Sequence, residues 1–180
     1  SSVGYCQKFI EYQSGMGSRD AENANIWILY NQVHGSHEGM DLYSDSAHYD
    51  TKLNDFTAFR NIKIVLTDTT TIYGDKLFYN GNTRIVEIWG NEVIFIDGNT
   101  RLVTTHLIYD RNSNTASYTT GAVTTNKENK LVSVKGFYLS NIKEFHVFDS
   151  VILSDTASII TTDTLHYNTN TNIALFTSPT

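Results

Sequence analysis

The stretch Lys76-Leu77-Phe78-Tyr79-Asn80-Gly81-Asn82-Thr83-Arg84 decides the fold, because the chain writes it again as His106-Leu107-Ile108-Tyr109-Asp110-Arg111-Asn112-Ser113-Asn114. Looser copies run from Ser46 to Asp55, from Gly136 to Glu144 and from Thr164 to Asn172. Their anchor tyrosines, Tyr49, Tyr79, Tyr109, Tyr138 and Tyr167, stand 30, 30, 29 and 29 residues apart. A fixed period of this length marks an array of supersecondary units. Asp or Asn follows the tyrosine in four of the five units; Leu139 takes that place in the fourth, which reads as divergent.

About a dozen residues beyond each tyrosine a second segment recurs at the same period. It appears as Asn61-Ile62-Lys63-Ile64, Glu92-Val93-Ile94-Phe95, Ala122-Val123-Thr124-Thr125 and Ser150-Val151-Ile152-Leu153, with Gln32-Val33 as an earlier copy. Polar clusters such as Asn80-Gly81-Asn82, Asp97-Gly98-Asn99 and Thr67-Asp68-Thr69-Thr70 separate the halves. Asn and Gly accept the positive φ that tight turns require, so each unit reads as one strand out and one strand back. The chain is expected to form about eleven to thirteen antiparallel strands and no helix.

A leg of about fifteen residues would extend roughly 40 Å, longer than common strands, so each is expected to bend midway. Gly74, Gly90, Gly121 and Gly136 fall near mid-leg, where glycine permits a bulge or corner. Legs bent at one height convert a meander into two facing sheets, an all-β, twisted, semi-open jelly roll. The repeat domain is placed at residues 26–180, with residues 1–25 an N-terminal strand or irregular segment of the same single domain.

Composition narrows the function. Of 180 residues 40% are apolar and one is proline, which suits a folded β domain. The net charge of -6 opposes binding to nucleic acid, which depends on cations that displace counterions. No apolar run reaches the roughly 18 to 20 residues of a membrane-crossing helix. The lone Cys6 excludes an internal disulfide and a thiolate cluster; Tyr5 before it is not the small residue that lipid attachment favours, so Cys6 reads as a bystander thiol. The text starts at Ser1, and a signal peptide is expected to have been removed.

Strand alternation sorts the faces. Ile62, Ile64 and Leu66 share one face, with Lys63 on the other; the same phase collects Val33, Val93, Phe95, Val123, Val151 and Leu153, and the returning legs add Leu77, Leu107 and Leu165. These positions fill a core or, if the bent sheet stays open, line an apolar groove for an amphipathic ligand. Asp45, Asp75 and Asp163 precede their tyrosines by four residues and are expected to accept hydrogen bonds from amides that a bulge leaves unpaired.

Catalytic signatures are missing. His34 and His37 lie in a hairpin with Gly35 and Gly39 and not on a helical turn, so no metal site is expected there. His48, His106, His146 and His166 lie within strands with no oriented partner indicated, and His48 and His166 flank their tyrosines in register, as a repeated surface position does. Asp41 and Asp45 read as solvated carboxylates, and no nucleophile elbow, phosphate loop or dinucleotide fingerprint occurs. No enzyme and no cofactor is expected. Lys52, Arg84, Arg111 and Lys127 stand near turns, where isolated cations are expected to be solvated.

The Gly90-Asn91-Glu92-Val93 and Gly121-Ala122-Val123 centres, more loosely Arg60-Asn61-Ile62, together with the returning legs Asp75 to Asn80 and Asp163 to Asn168, resemble the OstA/LptA-like family of periplasmic lipopolysaccharide-transport and organic-solvent-tolerance proteins. His37-Glu38-Gly39-Met40 leading into Ser44 to Tyr49 is similar to the Bacteroidetes-type variant. In departure from the pattern, Glu92 adds a residue, Arg60 replaces glycine and Gly136-Phe137-Tyr138 lacks the acid. The resemblance covers residues 26–180 and implies a non-catalytic bridge that shields the acyl chains of lipopolysaccharide, or another amphipathic glycolipid, across the periplasm to the outer membrane. It also implies stacking of copies, or of Lpt-type partners, through edge strands such as the last leg with Ile173 and Leu175. Two other readings stand beside it: a scaffold module working only by edge pairing, and a glycan-binding module using Trp27, Tyr43 or Trp89.

Overall fold

The computed structural model describes residues 8–176, so Cys6 lies outside the described residues. Fifteen strands form one antiparallel sheet: β1 (Glu11–Gln13), β2 (Met16–Arg19), β3 (Ile26–His37), β4 (Met40–Asp50), β5 (Asp55–Val65), β6 (Thr70–Asn80), β7 (Ile85–Asp97), β8 (Thr100–Asp110), β9 (Thr115–Tyr118), β10 (Ala122–Asn126), β11 (Asn129–Ser133), β12 (Lys135–Leu139), β13 (Glu144–Ser154), β14 (Ile159–Asn168) and β15 (Ile173–Phe176). The described residues form no helix. Three legs are broken in two: β1 with β2, both against β3; β9 with β10, both against β8; and β11 with β12, both against β13. The sequence-expected meander of hairpins is therefore the observed path. Of the expected N-terminal strand or irregular segment, residues 11–13 and 16–19 join the sheet as an edge leg.

The anchor repeat is a turn device. The side-chain oxygen of Asp50 accepts the amides of Lys52 and Leu53, and Asn80, Asp110 and Asn168 act likewise on the residues two or three ahead. Asp110 is held below the usual carboxylate range: partial burial pushes the other way, but the amide and side-chain donors of Asn112 and Ser113 outweigh it. The turn of every one of the five units, including the one with Leu139, ends on a left-handed residue: Asn54, Arg84, Asn114, Lys143 or Asn172. These repeat at the spacing of the tyrosines.

Bending falls on the outgoing legs. On β3, β5 and β13 one extra residue interrupts the ladder at Asn31-Gln32, Arg60-Asn61 and Asp149-Ser150, and both residues of each pair have positive φ. Two successive left-handed residues turn the strand sharply, and Val33, Ile62 and Val151 then re-enter the core. On β7 the segment between Trp89 and Val93 spans two residues more than its partner between His106 and Thr104, so Glu92 does lengthen that bulge. Its neighbour Gly74 is required: a Cβ there would lie 2.7 Å from Ile88 Cγ1. Asp75 Oδ2 accepts the Asn91 amide and Asp45 Oδ2 accepts the Asn61 side-chain amide, whereas Asp163 stands exposed.

The two halves of the bent sheet face each other across one core. Gly35, near one set of turns, lies against Phe56, near the other: a Cβ on Gly35 would be 3.3 Å from that ring. Phe95 packs on Tyr109 and Tyr138 at centroid distances of 6.0 and 5.7 Å.

Candidate functional site

The apolar interior and the line where the two sets of turns meet are the candidate site. Val33, Ile62, Ile64, Leu77, Val93, Phe95, Leu107, Val151 and Leu165 all point inward and are buried. Leu66 and Leu153 are half-buried at the margin of that core. Val123 is a correction: it is 38% exposed on the outer face, and Ala122 and Thr124 point inward in its place. Burial keeps one phase across Gly121, from Ala116 and Tyr118 to Ala122 and Thr124; the expectation matches Val123 to Val93, whose own leg carries additional residues in its bulge. On the outside the misplaced valine joins Val103, Val132, Val134 and Ile152 in a shallow apolar depression.

Polar contacts close the meeting line, here called the seam. At the N-terminal end His37, Glu38, Tyr79, Arg84 and Arg111 converge although they come from three separate turns. Arg84 Nη2 lies 2.5 Å from Glu38 Oε2, and Arg111 donates to the Tyr79 hydroxyl at 2.6 Å and to the Glu38 carbonyl at 2.9 Å. His37 Nε2 is 2.9 Å from the Lys8 carbonyl, which can only accept, so Nε2 carries the proton and Nδ1 accepts from the Tyr79 hydroxyl at 2.6 Å. Burial, aided by the Arg111 and Arg84 charges and opposed by the Lys8 carbonyl and Glu38, holds His37 below its ordinary pKa. Arg84 and Arg111 are thus built into the seam, in contrast to the solvated turn cations expected from sequence.

The middle of the seam centres on Asp97. Lys143 Nζ lies 2.5 Å from its Oδ2, the Tyr138 hydroxyl donates to Oδ2 at 2.9 Å, and Thr70 Oγ1 donates to Oδ1 at 3.2 Å. Burial first, and the Asp97 charge next, raise the Tyr138 phenol far above its ordinary value. Further along, Asn129 donates to the Tyr167 hydroxyl at 2.8 Å. The repeat explains the difference between units. Where the left-handed turn residue is Asn, it accepts from its own tyrosine, as Tyr49 with Asn54, Tyr109 with Asn114 and Tyr167 with Asn172. Where it is Arg84 or Lys143, the cation reaches the acid of an opposite turn.

The two edges differ. β1 and β2 cover the N-terminal edge strand β3, whereas β15 covers only residues 165–168 of β14. Ile173 and Leu175 are exposed on β15, and Ile159 and Ile160 on the uncovered part of β14. Of the aromatic residues, Trp27 carries the Arg19 guanidinium 4.7 Å from its ring centroid, while Trp89 and Tyr43 stack on His106 and His34. His34 and His37 point to opposite faces of β3, as residues three apart in a strand must.

No curated protein sequence matches the chain. Among solved structures the chain is similar to LptH of Pseudomonas aeruginosa, titled the LptA-homologous periplasmic component of the conserved lipopolysaccharide transport device, at 9% identity over 95% of this chain and 89% of that one, with a TM-score of 0.28. The sequence profile of the family described as OstA-like protein matches residues 9–163, and the chain belongs to that family.

Proposed function

We propose that the protein is a non-catalytic periplasmic carrier that holds acyl chains of lipopolysaccharide, or of another amphipathic glycolipid, between the halves of its bent sheet and passes them toward the outer membrane. One observation carries this reading: an apolar interior runs through all the units, yet its open side is closed by side-chain contacts and not by a β ladder. The strand path never joins β1 to β15, so the described sheet is no closed barrel. Parting the seam would open the interior without breaking backbone pairing.

The magnitudes allow it. Each methylene buried contributes about 0.8 kcal/mol, so six of them supply about 5 kcal/mol. A partly exposed ion pair such as Arg84 with Glu38 opposes this by about 0–1 kcal/mol. The net charge of -6 does not attract an anionic glycolipid, so interior contacts must dominate. The half-covered β14 edge suits pairing with a second copy or an Lpt-type partner. The scaffold reading is favoured by a different observation, the packing of the interior residues: Phe95 is 0% exposed.

Crosslinking separates the two. A photoreactive phenylalanine analogue at Phe95 and a photoreactive residue at the exposed position Lys63 are irradiated with purified lipopolysaccharide. The carrier reading expects adducts at Phe95 and none at Lys63. Absence of adducts at both positions would favour the scaffold.

A further inference from the structure

Glu144 and His146 on β13 and His166 on β14 stand on the outer face of the sheet, away from interior and seam. His146 and His166 are direct partners across the ladder, and Glu144 lies two residues before His146 on the same face. The imidazole centroids are 3.8 Å apart, Glu144 Oε1 is 2.7 Å from His146 Nε2, and the potential ligand atoms of all three lie within 4.8 Å of one another. Phe137 and Leu175 continue the same row on either side, and the Phe137 ring stacks on His146 at 4.9 Å.

Two similar trios occur elsewhere on this face: His34 with Asp41 and Tyr43, and His106 with Glu87 and Trp89. Each has one imidazole, one carboxylate and one stacked ring. Among the described residues only the β13–β14 trio gains a second imidazole. The hydrogen bond to Glu144 accounts for the position of His146, but it gives no reason for His166 to sit against it.

We propose that Glu144, His146 and His166 form a binding site for a divalent transition metal, with Zn²⁺ the best-matched ion. Two imidazoles and a carboxylate are borderline ligands that suit zinc, whereas calcium and magnesium take shells of six or more oxygens. Bonds of about 2.0–2.1 Å in a tetrahedral shell place donors about 3.4 Å apart, so side-chain rotations that shift the donors by at most about 1.4 Å complete the set. All three residues are half-buried on the sheet surface, where such rotations need no backbone change. The fourth position faces solvent and takes water. Phe137 and Leu175 wall the flanks, and the ion ties β14 to β13 beside the half-covered edge.

The test uses the full chain carrying Cys6→Ser and no histidine tag, freed of metal and titrated with Zn²⁺ by calorimetry and with Co²⁺ by visible absorption. The expected result is one ion per chain, the intense visible bands of tetrahedral Co²⁺, and a thermal midpoint raised by about 5 °C at saturating Zn²⁺. His166→Gln should weaken Zn²⁺ binding at least about ten-fold, while His106→Gln leaves it unchanged. Circular dichroism of each metal-free variant checks that it is folded. No binding up to millimolar Zn²⁺ would overturn the site, as would binding that survives loss of both His146 and His166 or falls equally in His106→Gln.

Discussion

The two ionic parts of the seam use the same repeat position in different surroundings. Arg84 and Glu38 have side chains 39% and 25% exposed, whereas Lys143 meets an Asp97 side chain only 1% exposed. The first pair is partly exposed and its acid neighbours a histidine held below its ordinary pKa; the second neutralises a buried charge that also holds Tyr138 and Thr70. The difference teaches where the fold can part. Opening at Glu38 breaks contacts of groups that are already partly wet, while opening at Asp97 breaks the ion pair and hydrogen bonds that hold a buried carboxylate. The N-terminal end of the seam is therefore the expected gate, and the Asp97 cluster the hinge.

Substitutions can break this contrast. Lys143→Ala should have the largest effect, about 3 kcal/mol lost in urea unfolding, because Asp97 keeps its burial without its cation. Arg84→Ala should cost less than about 1 kcal/mol, and its effect should shrink in high salt. Equal losses at the two sites would remove the distinction between gate and hinge.

Mild acid should act on the gate through His37. The folded pKa of His37 lies below its ordinary value of 6.5, so the folded chain binds fewer protons than the unfolded one in that window. Its contribution is present in full above 6.5 and is lost as pH falls from there toward the lowered folded value. His37→Gln should flatten this part of the stability profile relative to the parent, and a parallel profile would exclude the histidine. The smallest effect is expected at Val123, outside both clusters. Val123→Thr should change stability by less than about 0.5 kcal/mol, and a loss of core magnitude would return that residue to the interior.

Much of the fold was legible because its signals are local. The tyrosine period, the following Asp or Asn and strand alternation report turns and faces within a few residues, and they located Ile62, Ile64, Val93 and Phe95 in the interior. Three features escaped for physical reasons. Bends at Asn31-Gln32, Arg60-Asn61 and Asp149-Ser150 use left-handed residues other than glycine, so the search for mid-leg glycines found only part of them. Val123 escaped because its match to Val93 carries the longer bulge of β7 into a leg that lacks it. The seam was invisible because its partners are remote, with Arg111 and the Glu38 carbonyl 73 positions apart, and no periodic pattern reports such a contact. Arg84 and Lys143 did carry a signal, as the two cations in a register otherwise filled by Asn, but its meaning needed the opposite turns in view.

The central claim is that a lipid reaches the interior by parting the Glu38–Arg84 end of the seam. The direct measurement places cysteines at both positions in the Cys6→Ser background, with the photoreactive analogue at Phe95, and compares lipopolysaccharide crosslinking before and after a short bismaleimide joins the two thiols. The account predicts adducts at Phe95 in the unlinked protein and their loss on linking. Undiminished adducts in the linked protein, or none in either form, would contradict it.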